Sequence, residues 1–488
     1  IFFVLLRSEK NIHICTMTEK TFAKYNLIAG WSIFAIALIT YSLTVEPTVS
    51  FWDCGEYIAT SAKLEVGHPP GAPFFQMMGA VLSMFAPNAD KVALMVNFMS
   101  VLSSAFTVFF LYFIIVNLTK KIAMRGQTAL TQAQTIAVMG SGAVGALAYT
   151  FSDSFWFNAV EAEVYGMAML FMSVMLWLGI KWTDSLHEPR GNRWLLLIAL
   201  VVGLSFGVHF MALLTIPAIG MLYFFNSHYK KNVLNFIIAN VVSIAILLLI
   251  FKLILPYTLA YFGYLEVFFV NSFGLPFNSG TIIAGITLVA FFFFTLQYAN
   301  KKQYAGLQTG VLCLLFVFVG FSSWLMIPIR SNADTVINEN SPTDARLLLA
   351  YYNLEQYPET HLFYGPMYTD KYAGMDETDP YEDAKPKYER DYTTGQYVIV
   401  NQYKNAQMAA NSKHEGLLPR MWSTSHAANY MKLTGALEFT IKEEAYDEPK
   451  LVAFLQEIQK QMTLRQMPLE RYDQFLMEYR DYIEVEKP

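Results

Sequence analysis

The stretch Phe51-Trp52-Asp53-Cys54-Gly55-Glu56-Tyr57 directly follows the first long apolar run, separated from it by Pro47 and a few polar residues. Two carboxylates therefore stand where a membrane-spanning helix emerges into water, among aromatic residues of the kind that gather at a bilayer interface. In a helix, Asp53 and Glu56 share one face at i, i+3 spacing. Two acids held close at a low-dielectric boundary can act as an acid/base pair, because burial and mutual repulsion push their pKa values apart. A hydrated N-cap Asp beside an interfacial Glu is the plainer alternative for the same residues.

Composition places this stretch in a polytopic membrane protein. Of 488 residues, 55% are hydrophobic, 16% aromatic and only 15% charged, against about a quarter charged in a soluble domain. The net charge of -5 gives no basic surface for nucleic acid. Cys15, Cys54 and Cys313 are far apart, so neither a disulfide framework nor a Cys-pair metal site is visible. The segment 1–16, ahead of Met17, reads as upstream translation, and the end of the chain reads as a truncation.

Apolar runs of roughly 20 residues predict membrane spans, at about 27–45, 94–118, 133–151, 165–182, 233–256, 281–299 and 305–327. The run 194–225 is broken by Gly203, Gly207, His209 and Pro217 and predicts two short helices meeting near His209, for about nine spans. Lys/Arg placement supports this alternation. Lys20 and Lys24, then Lys120, Lys121 and Arg125, Lys181, Arg190 and Arg193, Lys230 and Lys231, and Lys301 and Lys302 all fall on one side. The loops 152–164 and 257–280 on the other side contain no Lys or Arg.

The expected organisation is a cytoplasmic segment 1–26, a transmembrane domain 27–330 with a large first outer loop 46–93, and a mixed, mostly helical extracytoplasmic region 331–488. In the outer loop, Gly67-His68-Pro69-Pro70-Gly71 is a turn, followed by an apolar run from Phe74 to Phe85 that suits a helix lying in the interface. In the tail, Thr343–Tyr357, Pro449–Met462 and Pro468–Ile483 read as helices and Gln396–Tyr403 as a strand.

Ionisable groups at or within a membrane mark function by default, because burying them is costly. Glu161 and Glu163, followed by Tyr165, stand at the mouth of the fourth span, on the same side as Asp53 and with no basic neighbour in their loop. His68 sits in a rigid turn, where it suits phosphate or metal, although Pro and Gly alone explain the turn. His209 lies at the helix break, where a hydrogen-bonded core histidine is equally consistent. Arg330, at the outer end of the last span, suits bidentate grip of a phosphate, or simply snorkels. Asn338, in Asn338-Glu339-Asn340, offers hydrogen bonds to a sugar or serves a turn. Dinucleotide, P-loop, Gly-x-Ser-x-Gly and His-Glu-x-x-His motifs are all missing. Acids facing outward lack a supply of soluble nucleotide sugar, so a lipid-carried donor suits the geometry better. No strong metal-ligand spacing is present, and no cofactor is fixed. Asp53, Glu161 or Glu163 would suit Mg²⁺ or Mn²⁺ through oxygen ligands.

Trp52 to Tyr57, Gly67 to Gly71, Asn158 to Tyr165, Gly207-Val208-His209, Pro328-Ile329-Arg330 and Tyr364-Gly365-Pro366 together resemble the bacterial membrane family known as domain of unknown function 2723. That family is similar to the GT-C glycosyltransferases of the protein O-mannosyltransferase type. The resemblance implies an all-α, GT-C-like bundle in a bacterial inner membrane with its active site facing the periplasm. It implies inverting transfer of a sugar, a mannose-like hexose among the options, from a polyprenyl phosphate to Ser/Thr hydroxyls of an exported protein. By the same resemblance Asp53 is the catalytic base. The mannosyltransferases carry adjacent Asp-Glu there, and the spacing of Asp53 and Glu56 leaves open which takes the proton. Two other readings compete: a secondary transporter or envelope flippase, and a non-catalytic component of an envelope or secretion assembly. Acids clustered at the outer surface, rather than at the midplane, and the lack of an inverted repeat weigh against a transporter.

Overall fold

The computed structural model describes residues 18–357, 361–376, 378–464 and 466–487. Cys15 and the segment 1–16 lie outside the described residues, as does Met17. The described residues fall into two units, the first running to Phe269 and resuming over Asn278–Gln356, the second comprising Val270–Phe277 and the residues from Tyr357 onward. The segment 331–356, which composition groups with the tail, thus belongs to the first unit.

The first unit is helical because an apolar chain in a bilayer must satisfy every backbone polar group internally. Its helices in order are α1 (Glu19–Leu43), α2 (Cys54–Lys63), α3 (Pro73–Ser83), α4 (Val92–Ala123), α5 (Gln132–Thr150), α6 (Asp153–Ala159), α7 (Val164–Asp184), α8 (Arg193–Ser205), α9 (Thr215–Asn226), α10 (Val233–Leu248), α11 (Leu255–Phe273), α12 (Ser279–Lys301), α13 (Ala305–Phe321), α14 (Met326–Ser331) and α15 (Ala345–Tyr352). The last four residues of α11 belong to the second unit. Among the described residues, 6 helical stretches are long and apolar enough to cross a membrane, or 7 if the bent pair α5 and α6 is one span. The shorter apolar pair, Arg193–Ser205 and Phe210–Asn226, meets at His209 as the sequence predicts.

One boundary differs. The sequence ends a span at 256 and expects a loop over 257–280, whereas helix runs from Val233 to Phe273. Pro256 removes an amide donor and crowds the preceding turn, and the chain absorbs this with a π-helical turn over Leu249–Ile254 rather than stopping.

Helix pairs in lipid gain from close backbone approach. α8 and α13 cross so tightly that a Cβ on Gly203 would lie 2.1 Å from the Val317 carbonyl, and one on Gly320 2.5 Å from that of Leu200. Tyr41 of α1 is fully buried and donates to the Thr150 carbonyl of α5 at 2.9 Å. The amides of Phe74 and Phe75 both donate to the Gly207 carbonyl, at 2.8 and 3.0 Å, which docks α3 against the break before His209.

The second unit carries the strands β1 (Tyr364–Pro366), β2 (Tyr381–Glu382), β3 (Tyr388–Asp391), β4 (Gln396–Ile399), β5 (Gln407–Met408), β6 (Glu415–Leu417), β7 (Phe439–Ile441) and β8 (Ile483–Val485), and the helices α16 (Ala427–Thr434), α17 (Pro449–Thr463) and α18 (Leu469–Glu478). The strands pair antiparallel as β1 with β6, β2 with β5, β3 with β4, and β7 with β8. Phe439, Leu455, Tyr472, Phe475, Leu476 and Ile483 form its core, each buried side chain of this size contributing about 2 kcal/mol. Helix α17 matches the prediction, the predicted helix 468–483 ends at Glu478 with Ile483 opening β8, and the predicted strand 396–403 ends at Ile399.

Candidate active site

Asp53 is the N-cap residue of α2, and Glu56 lies one turn inside that helix. The Gly-His-Pro-Pro-Gly turn then folds back over them. The Glu56 carboxylate accepts the His68 backbone N–H at 2.6 Å with Oε1 and meets the ring Nδ1 at 2.8 Å with Oε2. His68 Nε2 faces Asp53 Oδ2 at 3.8 Å. The i, i+3 face inferred from sequence therefore exists, and its two acids converge on one imidazole. Glycine is required at 67, because a Cβ there would lie 2.4 Å from Glu56 Oε1. From α15, the buried Tyr351 hydroxyl donates to the Gly67 carbonyl at 2.5 Å and to that of His68 at 3.1 Å, fixing the turn from behind.

The exposures differ. The Asp53 side chain is 57% exposed, against 26% for Glu56 and 25% for His68. Asp53 makes no side-chain cap bond, so its carboxylate is not spent on α2. Burial raises the Glu56 carboxyl, but the side-chain and backbone hydrogen bonds from His68, together with its charge, outweigh that and hold it below the usual range. His68 is pushed up chiefly by its hydrogen bond to Glu56, against desolvation, with Asp53 and Glu339 adding negative charge. Glu339 reaches this cluster through chain pairing: Val66 N–H donates to the Ile337 carbonyl at 3.0 Å and Glu339 N–H to that of Val66 at 3.0 Å.

Glu161 and Glu163 behave oppositely. They are 3% and 6% exposed. Ser50 donates to Glu161 at 2.7 Å, and the Cys54 thiol to Glu163 at 3.5 Å. Desolvation raises both carboxyls, and the charges of Asp53 and Glu161 raise Glu163 further. The Cys54 thiol is pushed up to about 12, first by burial, so it is a hydrogen-bond donor and not a nucleophile. The Tyr57 hydroxyl is raised first by burial and then by the nearby charges of Glu163, Asp53 and Glu56. The Tyr165 and His209 rings meet at a tilt of 54° with centroids 5.2 Å apart. His209 Nδ1 accepts the Met211 amide at 3.1 Å, so this ring caps the helical turn that begins at Phe210.

Arg330 and Asn338 hold the scaffold. Arg330 donates from Nε to the Leu64 carbonyl at 2.5 Å and from Nη2 to that of Lys63 at 3.2 Å, completing the C-terminus of α2. Asn338 accepts from the Ser331 hydroxyl at 2.9 Å and donates to the Ser331 carbonyl at 3.1 Å. Ser50, Tyr351 and the charge of Glu339 were not legible as parts of the site, since each reaches it from a distant segment. Among the described residues, no group of three or more His, Cys, Asp and Glu side chains is arranged to hold a metal ion.

Together these features define a multi-span helical membrane protein in which the loop between α1 and α4 gathers acids around a single histidine. Residues 53–233, which contain this loop, match a family model described as the protein O-mannosyl-transferase TMEM260 N-terminal domain. Residues 358–460 match a family of unknown function, DUF8416. The chain is similar to the "Protein O-mannosyl-transferase tmem260" of Dictyostelium discoideum, 30% identical over 152 residues, which is 31% of this chain and 16% of that protein. It is also similar to the "Protein O-mannosyl-transferase TMEM260" of Mus musculus, 25% identical over 177 residues, 36% of this chain and 22% of that protein. The similarity thus spans less than a quarter of either relative. No solved structure matches the chain.

Proposed function

We propose that the chain is a membrane glycosyltransferase of GT-C type that moves a mannose-like hexose from a polyprenyl-phosphate donor to a Ser/Thr hydroxyl of an exported protein. The observation that carries this reading is the exposed, uncommitted Asp53 carboxylate at the head of α2, inside the stretch that matches the O-mannosyl-transferase model. Asp53 is the base. Glu56 is a poor candidate for that role, because His68 engages both of its oxygens. The acceptor hydroxyl attacks the anomeric carbon as Asp53 takes its proton, and the phosphate leaves from the opposite face. Glu161, Glu163 and Tyr165 shape the sugar pocket, with His209 behind Tyr165. Arg330 acts mainly by setting the end of α2 and Asn338 by holding the loop that carries Glu339; either also contacts the donor only if α2 shifts. The expected setting is a bacterial cytoplasmic membrane with the site facing the periplasm, in keeping with the one-sided Lys/Arg distribution.

An apolar cavity of about 650 Å³, lined by Trp182, Ile198, Val202, Ile219, Val242 and Val317 among others, lies between spans and supports room for a long hydrocarbon chain. The test is transfer from a synthetic polyprenyl-phosphate mannose to a Ser/Thr peptide by the full chain in detergent. The expected result is a hexose mass on the peptide with wild type and none with Asp53→Asn. Equal transfer by both would remove Asp53 from the chemistry, and substrate counterflow without transfer would favour the transporter reading.

A further inference from the structure

We propose that Glu56 and His68 form a proton sink for Asp53, so that the proton taken from the acceptor hydroxyl moves on from Asp53 Oδ2 to His68 Nε2 and Asp53 is restored as carboxylate. This rests on the transferase reading above. The acceptor O–H bond breaks as its oxygen bonds the anomeric carbon. The bond from that carbon to the phosphate oxygen breaks, and the electron pair leaves on the phosphate. The proton passes to Asp53, then to Nε2, and from the imidazolium to water.

Geometry carries the inference. Glu56 takes the Nδ1 side of the ring at 2.8 Å and the backbone N–H at 2.6 Å, which fixes the proton of neutral His68 on Nδ1 and leaves the Nε2 lone pair as acceptor. This is the orienting role of the carboxylate in an acid–histidine–nucleophile triad, moved to a different reaction. Nε2 then faces Asp53 Oδ2 and no other carboxylate oxygen within 4.0 Å among the described pairs. The 3.8 Å separation is closed by a swing of the exposed Asp53 side chain or by one bridging water, as apo catalytic contacts often require. His68 also sits beside the base, whereas the leaving phosphate of an inverting transfer lies across the anomeric carbon from it. The groups facing the ring are Asp53 and Glu56 from α2, Glu339 from the loop after α14, and the Tyr57 ring, 6.0 Å away between centroids. All three charged groups stabilise the imidazolium, which agrees with the upward shift of His68.

A sink must begin neutral. Transfer by wild type should therefore fall as pH drops through the raised His68 value. Glu56→Gln keeps an oxygen for the backbone N–H but removes the charge, so it should lower the rate and move this acidic limb to lower pH. Glu339→Gln, which leaves the turn untouched, should move the limb the same way by less. The measurement is the rate of mannose transfer by the full chain across pH, with polyprenyl-phosphate mannose and peptide held fixed. An active enzyme whose limb neither variant moves overturns the sink and leaves the transferase reading intact. Loss of activity on the alkaline side instead overturns it in favour of a phosphate-gripping imidazolium. Absence of transfer by wild type at every pH overturns both.

Discussion

Two acidic pairs stand on the same side of this molecule, at nearly the same spacing in sequence, and the fold gives them opposite characters. Asp53 and Glu56 meet a histidine, and Glu56 is held below the usual carboxyl range. Glu161 and Glu163 meet only neutral donors, Ser50 and Cys54, and burial raises them. Spacing decides which acids can share a face, but the partner decides in which direction burial and hydrogen bonding move each carboxyl.

Substitution by isosteric amides breaks or sharpens this contrast. Asp53→Asn should lower transfer by about 10²–10⁴-fold, the usual range for a general base, read as initial rates at matched membrane levels. Glu56→Gln should cost more than about tenfold at neutral pH, equivalent to ~1.4 kcal/mol of barrier. Glu163→Gln, replacing a carboxyl whose pKa is raised chiefly by burial, should cost less than about threefold in the same assay, or under ~0.7 kcal/mol. Equal losses for the two Gln variants would erase the distinction.

Stability tests are smaller in effect. Arg330→Ala removes two charge-assisted bonds from the end of α2 and should lower unfolding stability by about 1 kcal/mol after allowing for partial exposure. A drop in transfer far larger than this loss explains would return Arg330 to the donor phosphate. The last test concerns Glu161, whose folded-state pKa is raised above 4.5. Its contribution to stability falls as pH rises from the unfolded value through the folded one. Glu161→Gln keeps an oxygen for Ser50 and should unfold at a higher temperature than wild type near neutral pH, with the difference shrinking below about pH 4. A difference that grows on acidification would reverse the assignment.

Much of this was legible in the chain. The apolar runs gave the long helices, the Gly and His break gave the short pair at His209, and i, i+3 spacing gave the shared face of Asp53 and Glu56. What escaped was tertiary partnership. The Ser50–Glu161 and Cys54–Glu163 contacts join residues 111 and 109 positions apart, and Arg330 finds the Leu64 carbonyl across 266. A backbone carbonyl leaves no trace in residue identity, so an arginine that completes a helix end reads in sequence like one awaiting a phosphate. The apolar run ends near 256, yet the helix continues past Pro256 through a π-turn over Leu249–Ile254.

The most direct test of the central claim is the mass of Ser/Thr-linked glycans on exported proteins from cells carrying wild type or Asp53→Asn at equal membrane level. A hexose present with wild type and missing with the variant is the result predicted here. Unchanged glycopeptides, with transport or secretion failing instead, would contradict the transferase reading.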